Sequence, residues 1–350
     1  MPIQPEHNVR LTFEGEDPID ISCREDEDVV SAALRQGVLL VSDCRRGICG
    51  SCRGFLEDGQ YDQLLDHTRH ALSEQDEDDG WVLACRLRPR SALHLDFDYP
   101  ADRVGRLDTQ RRSGWIVTRQ RLTESVLRLV VRTLSVHEPL RWEAGQYVRL
   151  QLSQSGVTRA FSIANVATGG HDLEFFVRLL PGGVFSGAIG NIAGEGAMVV
   201  VEGPLGSFTL DAGREELVFV AGGTGLAPIL AMLRKLALET PHRPATLIFG
   251  VDVEERLFGQ EELSRICAAC SAFNICLAVT EPTRAWSGFR GTVVDALAHR
   301  LENTANAKSC HYYICGPAPM VRTARAVALR HGVPPQAIYQ EAFVATGVDA

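Results

Sequence analysis

Cys44-Arg45-Arg46-Gly47-Ile48-Cys49-Gly50-Ser51-Cys52, with Cys85 thirty-three residues beyond Cys52, decides how the first third of this chain is read. The gaps are C-x4-C-x2-C and then one distant cysteine. Four thiolates are the soft ligands that two bridged irons require, and three of them from one loop can wrap such a cluster. Gly47 and Gly50 let that loop curl inward and point backbone N–H groups at sulfur. A structural zinc site more often draws on two short C-x2–4-C pairs. Here Cys85 stands alone and the first gap is four residues. The spacing therefore predicts a [2Fe–2S] cluster on Cys44, Cys49, Cys52 and Cys85, with a zinc-stabilised module as the rival.

The flanks agree. Residues 9–13 and 19–21 read as a hairpin, 28–36 as a short helix ending at Gly37, and 81–84 as a strand leading into Cys85. The acidic run 74–79 reads as a solvated turn and cap. Together these segments resemble the plant-type ferredoxin family over about residues 5–97, which implies a β-grasp fold.

The chain's 350 residues allow two or three domains. No apolar run approaches a membrane span, and the first residues lack a basic-then-apolar leader, so a cytoplasmic protein with no membrane partner is expected. In that compartment ten cysteines point to metal or redox chemistry rather than disulfides. Residues 1–100 carry 21 Asp/Glu against 10 Lys/Arg, a net of −11, and the rest of the chain nets +2. That balance argues against nucleic-acid binding. The acidic third is either a solvated surface or a docking face for a basic partner.

Residues 100–106 lose hydrophobic periodicity and read as a linker. Short runs at 115–119, 126–133, 147–152, 173–179 and 197–201 follow, separated by Gly and Pro, which suits an antiparallel barrel. Three pieces of this segment resemble the FAD-binding barrel of the ferredoxin–NADP reductase superfamily. The first is Arg159-Ala160-Phe161-Ser162, matching R-x-[YF]-[ST]. The resemblance implies that Arg159 neutralises the flavin diphosphate, Phe161 packs on the ring and Ser162 bonds near N5. Phe161 replaces the usual Tyr, so one hydroxyl contact is missing. The second is Gly182-Gly183-Val184-Phe185-Ser186 at a helix start, where glycines and a hydroxyl can approach a phosphate. The third is Gly203-Pro204-Leu205-Gly206-Ser207-Phe208. FAD rather than FMN is implied by the family alone.

From Leu217 the pattern alternates strand and helix, implying a doubly wound parallel sheet. Strands are expected at 217–221, 246–250, 275–280 and 312–315, with helices at 227–238, 261–268 and 320–330. The first strand runs into Ala221-Gly222-Gly223-Thr224-Gly225-Leu226-Ala227-Pro228. This is neither G-x-G-x-x-G nor a Walker loop, yet it stands where a pyrophosphate meets a helix N-terminus. It also matches the G-G-T-G-x-x-P of the same superfamily, which assigns Gly223, Thr224 and Gly225 to the dinucleotide. Cys315-Gly316-Pro317 resembles that family's C-G-P beside the nicotinamide. Glu341-Ala342-Phe343 lies where the family has an acidic residue and a ring-covering aromatic, so Phe343 is expected to shield the flavin. Asp252, in the acidic loop after the second strand, can accept from a ribose 2′-OH and repel a 2′-phosphate, which favours NADH; nearby Arg256 works the other way. Cys267, Cys270, Cys276 and Cys310 read as plain thiols.

The expected division is a ferredoxin domain at 1–99, a linker at 100–112, a FAD-binding barrel at 113–212 and an NAD(P)H-binding domain at 213–350. That order resembles the reductase components of bacterial multicomponent oxygenases, closest in phrasing to those of benzoate- and anthranilate-type ring-hydroxylating dioxygenases. Diiron monooxygenase reductases share the layout. The resemblance implies electrons passing from NADH to FAD, to the cluster, and on to a terminal oxygenase with a Rieske or diiron centre. Ser162, Cys315, Glu341 and Phe343 are the residues it places at the hydride-transfer site. A direct NADH:acceptor oxidoreductase is the alternative; a simple electron-carrier ferredoxin is disfavoured by the 250 residues that follow the cluster segment.

Overall fold

A computed structural model of the chain describes residues 5–14, 17–42, 45–48, 50–64, 70–101, 104–106, 110–134, 138–153, 155–180, 182–191, 195–211, 213, 215–304 and 306–343. It divides into two compact units, residues 1–108 with 205–207, and residues 109–204 with 208–350.

In the first unit, β1 (Glu6–Glu14) and β2 (Ile19–Arg24) form the hairpin, and α1 (Val29–Arg35) follows. The sheet adds β3 (Arg53–Asp58), β4 (Trp81–Leu83) and β5 (Leu93–Pro100) in the order β2-β1-β5-β3-β4. β1 pairs parallel with β5, placing Val9 by Leu93, Leu11 by Leu95 and Phe13 by Phe97. The period-2 alternation of β1 sends Val9, Leu11 and Phe13 into one core with Val29, Val30, Ala32 and Ala33 of α1. Each large apolar side chain so buried contributes about 1.5–3 kcal/mol. α1 starts where Asp28 accepts from the Ser31 N–H at 2.9 Å, and it ends before Gly37 at φ 78°. The acidic run forms a helix, α2 (Glu74–Asp78), closed by a reciprocal capping box between Ser73 and Asp76.

Two stretches differ from the linker expectation. Gly105–Arg106 pairs antiparallel with Val38–Leu39, and the next long strand begins at Gln110. A two-residue ladder depends on a partner nearly seventy residues away, which leaves no local period to read.

In the second unit, β6 (Gln110–Thr123), β7 (Val126–Thr133), β8 (Tyr147–Leu152), β9 (Thr158–Ser162), β10 (Asp172–Arg178) and β11 (Met198–Leu205) form one antiparallel sheet. Its order is β9-β8-β11-β6-β7-β10. The two edges curl toward each other: Ala164 N–H donates to the Glu174 carbonyl at 2.8 Å, and the Phe161 and Phe175 rings meet at 6.3 Å. The interior is filled by residues such as Ile116, Leu129, Val148, Leu150 and Phe175, all fully buried. α3 (Val184–Asn191) lies between β10 and β11.

The remaining sheet is parallel throughout. Its strands are β12 (Leu217–Gly222), β13 (Ala245–Val251), β14 (Phe273–Val279), β15 (Phe289–Arg290), β16 (His311–Pro317) and β17 (Ile338–Phe343), ordered β15-β14-β13-β12-β16-β17. Crossovers run through α4 (Leu226–Glu239), α5 (Gln260–Ala269), α6 (Val293–Asn303) and α7 (Ala318–Arg330). Every residue of β12 is buried, as a strand covered on both faces requires. Strand order reverses at β12, so a crevice opens beyond the C-terminal ends of β12 and β16, at Gly222 and Pro317.

Candidate functional site

Two of the four expected cluster ligands fall on described residues. Cys52 and Cys85 are 2% and 3% exposed, and neither is in a disulfide. Cys44 and Cys49 lie outside the described residues. Between Cys44 and Cys52 the chain turns through three left-handed residues: Arg45 at φ 52°, Gly47 at 78° and Gly50 at 80°. A Cβ on Gly50 would also press on the Ala71 methyl at 3.2 Å, so glycine is required there on two counts. The Ala84 N–H donates to the Cys52 carbonyl at 3.0 Å, tying the segments that carry the two thiols. Just beyond Cys52, Arg53 stacks 3.9 Å above the Trp81 ring and pairs with Asp76 at 2.6 Å. The donor set, one buried thiol just after a tightly curled loop and a second on the neighbouring 84–86 turn, fits an iron–sulfur cluster. By contrast burial, with Glu27 nearby, pushes the Cys23 thiol up to about 12, leaving it a protonated core side chain.

The second unit holds a cavity of about 630 Å³. β9 delivers Arg159, Phe161 and Ser162 to its wall, and the loop after β12 delivers Gly222, Gly223 and Thr224. Gly183, Asp252 and Phe343 line it too. Gly223, at φ 53°, has nothing within 4 Å of the place a Cβ would occupy, and Gly182 at φ 71° is equally open. Backbone N–H groups there are accessible to a diphosphate, and α4 follows directly, its N-terminus favouring anions. The side chains of Val184 and Ser186 lie outside the described residues. Gly225 serves a different need: a Cβ there would sit 2.3 Å from the Cys315 carbonyl oxygen.

Three residues far apart in sequence meet behind the Ser162 side of this cavity. β16 and β17 pair in register with Cys315 beside Glu341 and Pro317 beside Phe343. Ser162, from the barrel sheet, donates to Glu341 Oε2 at 3.1 Å, and the Cys315 thiol lies 3.9 Å from the same oxygen. Ser162 and Glu341 are each 6% exposed, and Cys315 is fully buried. The set joins a hydroxyl, a thiol and a carboxylate just behind the cavity wall, where Ser162 alone of the three is a lining residue, and Phe343, which also lines the cavity, stands two register pairs beyond Glu341. Gly316, between them at φ 152°, packs against Gly222.

Comparison with known proteins places this geometry. Residues 12–90 match the model of the 2Fe-2S iron-sulfur cluster binding domain, 114–210 the oxidoreductase FAD-binding domain, and 219–326 the oxidoreductase NAD-binding domain. The toluate 1,2-dioxygenase electron transfer component of Pseudomonas putida is 33% identical over 97% of this chain and 99% of its own. This chain belongs to the family of oxygenase electron-transfer reductases. Methane monooxygenase component C of Methylosinus trichosporium is 38% identical over 80% of this chain and 82% of its own. Among solved structures, a cytochrome P450 reductase from Amycolatopsis superposes with a TM-score of 0.74 at 26% identity, covering 97% of this chain and 100% of its own. The ferredoxin reductase in carbazole 1,9a-dioxygenase gives 0.70 at 25%, covering 98% and 100%.

The reductase is thus an oxidoreductase with [2Fe–2S], FAD and NAD domains in that order. Its cavity also shows what the sequence did not. Asp252 is held by an ion pair from Arg256, four residues on, while its other oxygen accepts from the Val253 N–H at 3.1 Å. Both side chains line the cavity. Phe258 was unmarked by any motif, yet it packs edge-on against Phe176 of the barrel at 5.1 Å. Phe185 of the Gly182–Ser186 motif lines the cavity as well, as do Arg178 and Thr280, which no motif marks. Among the described residues no helix is long and apolar enough to cross a membrane.

Proposed function

We propose that this reductase carries electrons from NADH through FAD and the [2Fe–2S] cluster to a terminal oxygenase component of a ring-hydroxylating dioxygenase, in the cytoplasm. The observation that carries the reading is one cavity lined by Arg159, Phe161, Ser162, Gly223, Thr224 and Phe343, with Glu341 and Cys315 bonded behind Ser162. A flavin bound there would supply hydride acceptance from a nicotinamide and single-electron release to the cluster. Arg159 holds the diphosphate at the barrel edge, with the Gly182–Gly183 backbone and Ser186 of α3 beside it. Phe161 flanks the ring and Ser162 presents its hydroxyl near N5. Gly223, Thr224 and Gly225 seat the nicotinamide dinucleotide at the start of α4, and Cys315 and Gly316 border its reactive ring. Phe343 covers the flavin until that ring displaces it. Glu341, buried and hydrogen-bonded, orients Ser162. Cys44, Cys49, Cys52 and Cys85 ligate the cluster, and the boundaries 1–99, 100–112, 113–212 and 213–350 separate the working parts.

The 38% identity to methane monooxygenase component C supports a second reading, service to a diiron monooxygenase. The experiment is reduction of cytochrome c by NADH and by NADPH in the full-length protein and in Cys85→Ser. The reading expects iron and acid-labile sulfide in the wild type, a preference for NADH, and loss of one-electron transfer in the variant with flavin reduction intact. Undiminished cytochrome c reduction by Cys85→Ser would refute the electron path. Reconstitution with a Rieske or a diiron oxygenase then separates the two partners, and the rate should fall as salt rises if the acidic unit steers docking.

A further inference from the structure

Hydride transfer demands that two surfaces stay in register, the strand ending at Ser162 and the loop Gly222–Gly225, and these stand on different sheets. α4 begins directly after that loop and carries Arg234 two turns in. The Arg234 side chain is only 20% exposed. Its Nη1 donates to Glu174 Oε2 at 2.7 Å and to the Ala164 carbonyl at 2.9 Å, both on the barrel. Its Nε donates to Glu262 Oε1 of α5 at 2.9 Å. The two barrel acceptors are themselves joined: Ala164 N–H donates to the Glu174 carbonyl, and Glu174 N–H to Asn165 Oδ1 at 2.9 Å. Ala164 lies two residues past Ser162. The second oxygen of Glu174 accepts from Arg128 Nε at 2.6 Å, and that of Glu262 from Arg265 Nη1 at 2.9 Å.

Apolar packing also joins the sheets here, since Ala164 and Phe176 share one core with Leu226, Phe249 and Phe258. Such contacts are non-directional and tolerate sliding. A guanidinium fork is not: its planar donors accept one arrangement of carboxylate and carbonyl. Buried ion pairs often add little net stability over apolar replacements, so register is what this one supplies. We propose that Arg234 is a positioning residue for hydride delivery, fixing the Ser162 strand against the Gly222–Gly225 loop through Glu174, the Ala164 carbonyl and Glu262. The inference rests on the function proposed above, in that flavin and nicotinamide occupy those two surfaces.

The test uses the full-length protein with flavin and cluster bound. In Arg234→Met the saturated rate of flavin reduction by NADH falls about 10- to 100-fold, while half-saturation moves by less than about threefold. Arg234→Lys, which keeps charge but not the fork, falls between. Arg128→Gln breaks a bond to the same carboxylate without crossing between the sheets; it lowers thermal stability yet stays within about twofold of the wild-type rate. A second readout needs no turnover. In flavin-free protein, amide exchange rises at both 162–174 and 222–230 in Arg234→Met, but only in the barrel in Arg128→Gln. If Arg234→Met does not fold, Arg234→Lys and Glu174→Gln carry the same comparison. A wild-type saturated rate in a flavin-loaded Arg234 variant, or exchange changes confined to α4, would overturn the inference. Wild-type protein that NADH cannot reduce would instead sink the proposed function, and this inference with it.

Discussion

Replacing Ser162 by alanine deletes one hydroxyl and, with it, the 3.1 Å bond to Glu341 Oε2, while leaving Arg159, Phe161 and the cavity backbone in place. Leaving a buried acceptor without its donor costs about 1–3 kcal/mol. Both partners are 6% exposed, so water does not readily replace the lost donor. If that bond is what orients the hydroxyl and carboxylate for hydride delivery, its full worth appears in the barrier. At 1.36 kcal/mol per decade the reduction rate then drops about 5- to 150-fold. Flavin retention should not change, because the diphosphate contact is elsewhere. Stopped-flow bleaching of the flavin by NADH, with flavin content measured on the same sample, reads both quantities. A Ser162→Ala protein that keeps its flavin and is reduced at the wild-type rate would show that Ser162 and Glu341 pair for stability alone.

Gly225→Ala puts a methyl 2.3 Å from the Cys315 carbonyl oxygen, a backbone atom that can yield only by moving β16 or α4. It should cost about 1–3 kcal/mol in denaturant unfolding and weaken NADH binding more than flavin binding. Arg256→Ala frees Asp252 from its ion pair, so the ratio of NADH to NADPH efficiency should rise in steady-state assays; a fall would mean that Asp252 does not face the ribose. Thr292→Ala removes the cap of α6 and its reciprocal bond with Asp295, costing about 1 kcal/mol in thermal unfolding. Burial raises the Glu262 carboxyl, but the bonds from Arg234 and Arg265 outweigh it and leave it below its ordinary value. The stability it contributes is therefore complete above the unfolded-state pKa of about 4.3 and lost as pH falls through the lower folded value. Glu262→Gln should accordingly lose less stability than wild type across that acid range, as measured by chemical denaturation at several pH values.

How much could be read in advance differed from element to element. Val126–Thr133 and Tyr147–Leu152 appear in the structure with the expected bounds: the second alternates buried and half-buried residues, while the first is an apolar run buried nearly throughout. β9 was not read as a strand: Thr158–Ser162 is mostly half-buried, with no clean period, and only the motif marked it. α6 and β17 also escaped. β17 sits at the sheet edge, and its assignment depends on pairing with β16.

By itself the sequence determined the cysteine spacing, the order of the three domain types and the glycine-rich turns, since these are local demands of ligand chemistry and backbone geometry. Tertiary structure alone decided which of the marked residues meet. Ser162 and Glu341 are 179 positions apart, and Arg234 reaches Glu174 across 60. A hydrogen bond needs atoms within about 3 Å, and no period along the chain encodes such a distance. It arises only when barrel and parallel sheet close on a shared core.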